Sequence, residues 1–170
     1  MSAEARTFVL LPGAGGESWY WHLVAARLRD RGHEVVSPDL PTGDDGAGLA
    51  DYAEAALDAI GDRKDLVVVA QSMAAFFHDV PKEIVDETFA RGEPRQSDTP
   101  FGQVWPLERW PDVPTSVIAG RRDRLLPVEF MRGLARERLG VDDVGVVDSG
   151  HLPALARPDE LAELLEAHAA

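Results

Sequence analysis

Three side chains able to act together in nucleophilic catalysis occur in the order Ser72, Asp123, His151. A serine hydroxyl is a poor nucleophile until a neighbouring base takes its proton. A histidine base in turn needs a carboxylate that fixes its tautomer and stabilises the imidazolium. Ser72 lies in Ala70-Gln71-Ser72-Met73-Ala74, directly after a run rich in valine. A G-x-S-x-G elbow turns so sharply from strand to helix that its flanking positions must be small, and it exposes the hydroxyl at the strand end. Both glycine positions are alanine here, which weakens the motif without abolishing it. An ordinary serine after a buried strand would have the same surroundings. Asp123 stands in Gly120-Arg121-Arg122-Asp123 and His151 in Asp148-Ser149-Gly150-His151, each just past another apolar run.

A glycine-rich loop, Leu11-Pro12-Gly13-Ala14-Gly15-Gly16, follows the first apolar run. Glycines let backbone N–H groups approach an anion closely. In acyl transfer they would form an oxyanion hole, here from the amides of Ala14 and Met73. A dinucleotide site is the competing use, since Gly13, Gly15 and Ser18 approximate G-x-G-x-x-G and Asp39 ends the second run. The third glycine is missing, however, and Trp19, Tyr20 and Trp21 crowd the turn where helix and strand must pack closely.

Other reactive side chains have plainer readings. Asp39 suits a Pro-Asp-Leu-Pro turn, His22 and His33 suit packing and loop roles, and His168 falls in the terminal helix. Phe77, His78 and Trp105 are the candidates for lining a substrate pocket, although Trp105 and Trp110 could equally cover a sheet edge. No spaced His/Glu cluster suggests a metal site, and no cofactor is implied.

These residues need a scaffold that collects them. Continuous apolar runs at 7–11, 34–36, 66–70, 115–119 and 144–147 suit strands covered on both faces. Helical patterns lie between and after them, at 21–31, 49–60, 128–139 and 159–168, and glycine follows each of the first three. Alternation of this kind predicts an α/β fold, a doubly wound, mostly parallel sheet of about five strands. Ligand sites in such sheets lie at C-terminal strand ends, where Ser72, Asp123 and His151 all fall. Residues 76–114 break the pattern with Pro81, Pro94, Pro100, Pro106, Pro111 and Pro114, and only 82–91 reads as a helix. Long irregular segments in compact domains are usually lids or binding loops.

With 170 residues the chain suffices for one domain. Its net charge of −13 opposes binding to nucleic acid or anionic membranes. Absence of cysteine excludes disulfides, thiolate metal sites and a cysteine nucleophile. With no signal-like or membrane-spanning apolar run, the expectation is a cytoplasmic protein acting on a small molecule. Composition leaves a homodimer open.

The stretch Phe8-Val9-Leu10-Leu11-Pro12-Gly13-Ala14-Gly15-Gly16, with Trp19, Trp21-His22 and Gly32-His33-Glu34-Val35-Val36-Ser37-Pro38-Asp39-Leu40-Pro41, resembles the opening of α/β-hydrolase-fold proteins. The branch it is most similar to contains plant-type methylesterases, hydroxynitrile lyases and their bacterial relatives. Ser149-Gly150-His151-Leu152-Pro153, with Arg157-Pro158 and Leu161, is similar to the branch's ending. The resemblance spans residues 7–72 and 104–168. It implies a cofactor-free serine hydrolase of the esterase type, with Ser72, Asp123 and His151 as a triad and 76–114 as a shortened cap on a single domain, 1–170. It also implies two alternatives: a non-catalytic binding protein of the same fold, or a carbon–carbon lyase using Arg121, Arg122 or Arg124 as its cation.

Two departures from the family pattern bear on the site. The family usually carries His at position 12 and Gly-His-Ser at 70–72. It also follows the nucleophile with a long helix, a further strand and a cap, whereas here Phe76-Phe77-His78-Asp79-Val80-Pro81 resembles the later part of the cap. A missing strand implies a displacement of about 4.8 Å for the Asp123 and His151 loops unless the gap is bridged. Three outcomes stay open: re-registered elements, a chain from which residues of the natural protein are missing, or an unassembled triad.

Overall fold

The computed structural model describes residues 4–15, 17–71 and 77–169. Its middle strand is β1 (Thr7–Leu11), in which Phe8, Val9 and Leu10 are fully buried. β2 (Glu34–Val36) pairs parallel to one edge, from Thr7↔Glu34 to Val9↔Val36. β3 (Leu66–Ala70) pairs parallel to the other, from Thr7↔Leu66 to Leu11↔Ala70. Parallel neighbours require crossovers, which α1 (His22–Asp30) and α2 (Leu49–Ile60) supply. After α3 (Lys82–Ala90) and an irregular stretch come β4 (Val117–Gly120) and β5 (Val144–Val147). These two pair parallel from Val117↔Val144 to Gly120↔Val147. Between them runs α4 (Val128–Leu134), continued by the π-helical turn Ala135–Leu139. The chain ends in α5 (Pro153–Ala156) and α6 (Pro158–Ala169).

The described residues form five strands, parallel within every pairing and interleaved with helices, which is the α/β arrangement read from the sequence. Their hydrogen bonding divides them into a three-stranded sheet, β2-β1-β3, and a two-stranded sheet, β4-β5. What joins the two is side-chain packing. Val67 and Val69 of β3 and Ile118 of β4 pack against the same cluster, which includes Phe8, Leu10, Leu28, Ala154 and Leu165. The opposite face of β3 is less covered, and Val68 is 57% exposed. Cover on both faces, expected for 66–70, is not found: Val67 and Val69 are half-buried on one face of β3, and Val68 and Ala70 on the other are exposed. The fourth strand also begins two residues later than expected. Thr115 Oγ1 is engaged with Val113 O and Trp110 Nε1, and pairing starts where Val117 meets the first residue of β5.

Helices α1 and α6 carry the core. Val24, Ala25 and Leu28 form the buried stripe of α1, and Leu161, Ala162 and Leu165 that of α6, at the spacing one helix face requires. Pro158 opens α6, and Asp159 and Glu160 occupy its first turn, where negative charge is favoured. Among the described residues, no helix is long and apolar enough to cross a membrane.

His33 ties this helix pair to the sheet. Its Nδ1 accepts the Arg6 N–H at 3.2 Å, so Nε2 carries the ring proton and donates to Glu166 Oε1 at 2.9 Å. The ring meets Phe8 edge-on at 5.0 Å, and its side chain is 3% exposed. His33→Ala should leave a backbone N–H and a carboxylate short of a partner and cost about 1–3 kcal/mol. The check is urea unfolding, with a lower midpoint at unchanged slope.

Candidate active site

The chain leaves β4 through a tight turn. Asp123 N–H donates to Gly120 O at 3.2 Å, and Asp123 Oδ1 accepts the N–H groups of Leu125 (2.8 Å) and Leu126 (3.0 Å). With one oxygen so held, Oδ2 points to the loop after β5 and meets His151 Nδ1 at 2.6 Å. Both side chains are largely withdrawn from solvent, 7% exposed for Asp123 and 3% for His151. A carboxylate only accepts, so Nδ1 carries the proton and Nε2 of the neutral ring keeps its lone pair. A general base needs that tautomer.

The histidine loop is itself tied to the Asp123 turn. Arg121 and Arg122 N–H groups donate to Val147 O and Ser149 O, each at 2.8 Å. Ser149, fully buried, donates through Oγ to Gly150 O at 3.0 Å. The Arg122 guanidinium reaches both the carbonyl and the carboxylate of Asp148. Arg122 is thus occupied in holding the loop, and none of Arg121, Arg122 and Arg124 lines the cavity described next.

A cavity of about 90 Å³ opens at the C-terminal ends of β1 and β3. Its floor is the glycine loop after β1, including Ala14 and Gly15. Gly15 has φ +90°, and a Cβ there would stand 2.8 Å from Pro94 Cβ, so both conformation and space require glycine. Its N–H donates to Gln96 Oε1 at 3.1 Å, and Gln96 Nε2 donates to Tyr52 Oη at 3.1 Å. The walls are mostly apolar: Trp19, Tyr20, Phe77, Leu152 and Leu155. Burial pushes the Tyr20 phenol far above its usual range, so it stays a neutral O–H. Arg91 closes one side, 5.2 Å over the Trp19 ring and 3.4 Å from Glu17.

Ser72 and Met73, the expected nucleophile and second oxyanion donor, lie outside the described residues. Gln71, directly before them, lines the cavity and donates from Nε2 to His151 O at 3.4 Å. The end of β3 and the histidine loop therefore meet. Asp123 and His151 are brought together, Ala14 stands in the floor, and Phe77 stands in the wall. His78 packs against Gly150, where an added Cβ would come within 2.5 Å of its Cε1. Trp105 is 60% exposed and is not among the cavity residues.

The dinucleotide reading loses its acidic residue, since Asp39 Oδ1 accepts the Ser18 N–H at 2.7 Å. The chain after Glu17 enters a 3-10 turn, Ser18–Trp21, before α1 begins. Among the described residues there is no group of three or more His, Asp or Glu placed to hold a metal. Sequence reasoning missed Gln71, Gln96, Arg91 and Leu155. The first had a signal in its place beside Ser72, whereas Gln96 and Arg91 depend on how α3 and its flanks fold back, and Leu155 on the course of α5.

The profile of the alpha/beta hydrolase family matches residues 8–85 and 73–164. No curated protein sequence matches the chain. Polyneuridine aldehyde esterase superposes over 98% of this chain and 100% of its own, with TM-score 0.75 and 14% identity. A methylesterase from Arabidopsis does so over 95% and 97%, with TM-score 0.77 and 16% identity. An extracellular alpha/beta-hydrolase from a Paenibacillus species covers 96% and 98%, with TM-score 0.76 and 16% identity. Identities this low speak for the fold, and the profile extends over nearly the whole chain: it belongs to the alpha/beta hydrolase family.

Proposed function

We propose that the chain is a cofactor-free serine hydrolase acting on a small ester. The observation carrying this reading is the buried Asp123–His151 hydrogen bond, which leaves the imidazole in the tautomer a general base requires. In the proposed reaction Ser72 Oγ attacks the ester carbonyl while His151 Nε2 takes its proton. The amides of Ala14 and Met73 stabilise the oxyanion. His151 then returns the proton to the departing alcohol, leaving an acyl group on Ser72. Water, deprotonated by the same nitrogen, releases the acid and restores the serine. Asp123 stays ionised throughout and stabilises the imidazolium.

The apolar walls suit a compact hydrophobic acyl or alcohol portion, with Phe77 in contact with it. Residues 76–114 serve as the shortened cap, since Phe77, Thr88 and Pro94 come from this segment to the cavity. Proteins that share the fold include enzymes titled esterase and methylesterase, which agrees with this reading. The unpaired sheets favour a second reading, a binding protein with an unreactive serine. The lyase alternative lacks support, because its three candidate arginines lie away from the cavity.

Labelling with a fluorophosphonate probe separates the first two readings. The wild-type chain should label and Ser72→Ala should not; equal labelling of both would remove Ser72 as the nucleophile. A wild-type chain that binds small esters or aromatic acids yet never labels would support the binding protein. If the triad works as proposed, Asp123→Asn should lower kcat on p-nitrophenyl acetate by roughly 10³–10⁴, by favouring the wrong tautomer. Steady-state kinetics on the folded variant would show it, and a loss below tenfold would speak against Asp123 as the orienting acid.

A further inference from the structure

Asp79 is a carboxylate outside the proposed triad, yet it is buried against the histidine loop. Its side chain is 7% exposed. Oδ2 accepts the Gly150 N–H at 2.5 Å, one residue before His151. Among the described residues Oδ1 has no hydrogen-bond partner, an expensive situation for a buried carboxylate oxygen. Arg122 lies 3.9 Å from Oδ2, while its guanidinium is already engaged with Asp148. The contact also shapes its neighbour. A Cβ on Gly150 would stand 2.6 Å from Asp79 Oδ1 and 2.5 Å from His78 Cε1, so the loop can reach Asp79 only with glycine there.

From these contacts we infer that Asp79 is a positioning residue, the strut by which the segment after residue 76 sets the height of the His151 backbone. The other described ties on this loop come from the β4–β5 unit itself, from Glu160 of α6, which accepts the Asp148 N–H at 3.0 Å two residues before Gly150, and from Gln71, 3.4 Å from His151 O. Asp79 adds a short, charge-assisted bond at Gly150 itself, from the segment that leads into α3. Such a bond restricts a glycine whose backbone is otherwise the most permissive in the loop. The neighbouring imidazole then keeps its line to Asp123 Oδ2. The effect on catalysis rests on the proposed hydrolase reading, whereas the effect on the loop does not.

Two substitutions and one measurement on the native chain test the inference. Asp79→Asn keeps an oxygen for the Gly150 N–H, and Asp79→Ala removes it. In the folded proteins Asp79→Ala should lower kcat on p-nitrophenyl acetate by at least about tenfold with KM little changed, as expected for a misplaced base. Asp79→Asn should restore most of that loss. The low-field proton resonance of His151 Nδ1–H should be present in the native chain and in Asp79→Asn, and shifted or broadened in Asp79→Ala. An unchanged resonance and kcat in Asp79→Ala would overturn the inference. So would a native Gly150 amide that exchanges as fast as an open loop amide, a result that needs no variant. If the native chain hydrolyses no ester and takes no fluorophosphonate, the hydrolase reading falls. The resonance and the amide exchange still decide the role of Asp79.

Discussion

Two sheets whose described strands share no ladder are kept side by side because one apolar body, built on α1 and α6, touches both. Phe8 and Leu10 reach it from β1, Val67 and Val69 from β3, and Ile118 from β4. Within each sheet the register is set by backbone ladders, which hold every strand to a fraction of an ångström. Between the sheets the relation is set by interdigitated side chains at crystal-like density. His33, bonded to Arg6 N–H and Glu166, reinforces that junction from its N-terminal end. The geometry at the C-terminal strand ends depends on this arrangement.

The acid–base pair belongs wholly to the smaller unit. Asp123 follows β4, His151 follows β5, and the arginine amides between them bond across the two loops. Their 2.6 Å hydrogen bond therefore does not depend on the junction. Burial sharpens it: a pair withdrawn from water feels a lower dielectric, and Asp123 offsets its desolvation by accepting from the Leu125 and Leu126 amides. The cavity, in contrast, is built around the larger unit, from the loop after β1, Gln71 after β3, and the segment that returns through Phe77 and α3.

Most of this framework could be read along the chain. Residues 7–11, 34–36, 66–70 and 144–147 form strands with the expected bounds because each is a short run rich in β-branched or apolar residues, three of them closed by Pro12, Ser37 and Asp148. Helix α2 matches 49–60, and its first turn is secured by Asp51 Oδ2 accepting the Gly48 N–H. The meeting of Asp123 and His151 followed from their places at strand ends. What stayed hidden depends on long-range return of an irregular segment. Gln96 bonding to Gly15 crosses 81 positions and Asp79 bonding to Gly150 crosses 71, with no periodicity to announce either. Trp105, a candidate for the pocket, is largely in solvent for the same reason: proline-rich sequence says where a chain bends, not which way. The division into two sheets and the displacement it implies were foreshadowed by the short span between Ser72 and Asp123, but its consequence for which residues stay together was not.

That consequence can be argued from where the gap falls. A lost strand implies a displacement of about 4.8 Å, against a catalytic tolerance near 1 Å. Asp123 and His151 stay together on one side of it. Ala14 and Gln71 stay together on the other. The gap thus falls between the Asp123–His151 pair and the loop that carries Ala14, and leaves each half intact. Contact across it is nevertheless kept, since Gln71 Nε2 reaches His151 O at 3.4 Å and Leu152 and Leu155, just beyond His151, line the cavity. The chain after the histidine therefore crosses to the side of the cavity. A junction of this kind is softer than a ladder, so the position of the base should rest more heavily on its loop contacts than it would in an unbroken sheet.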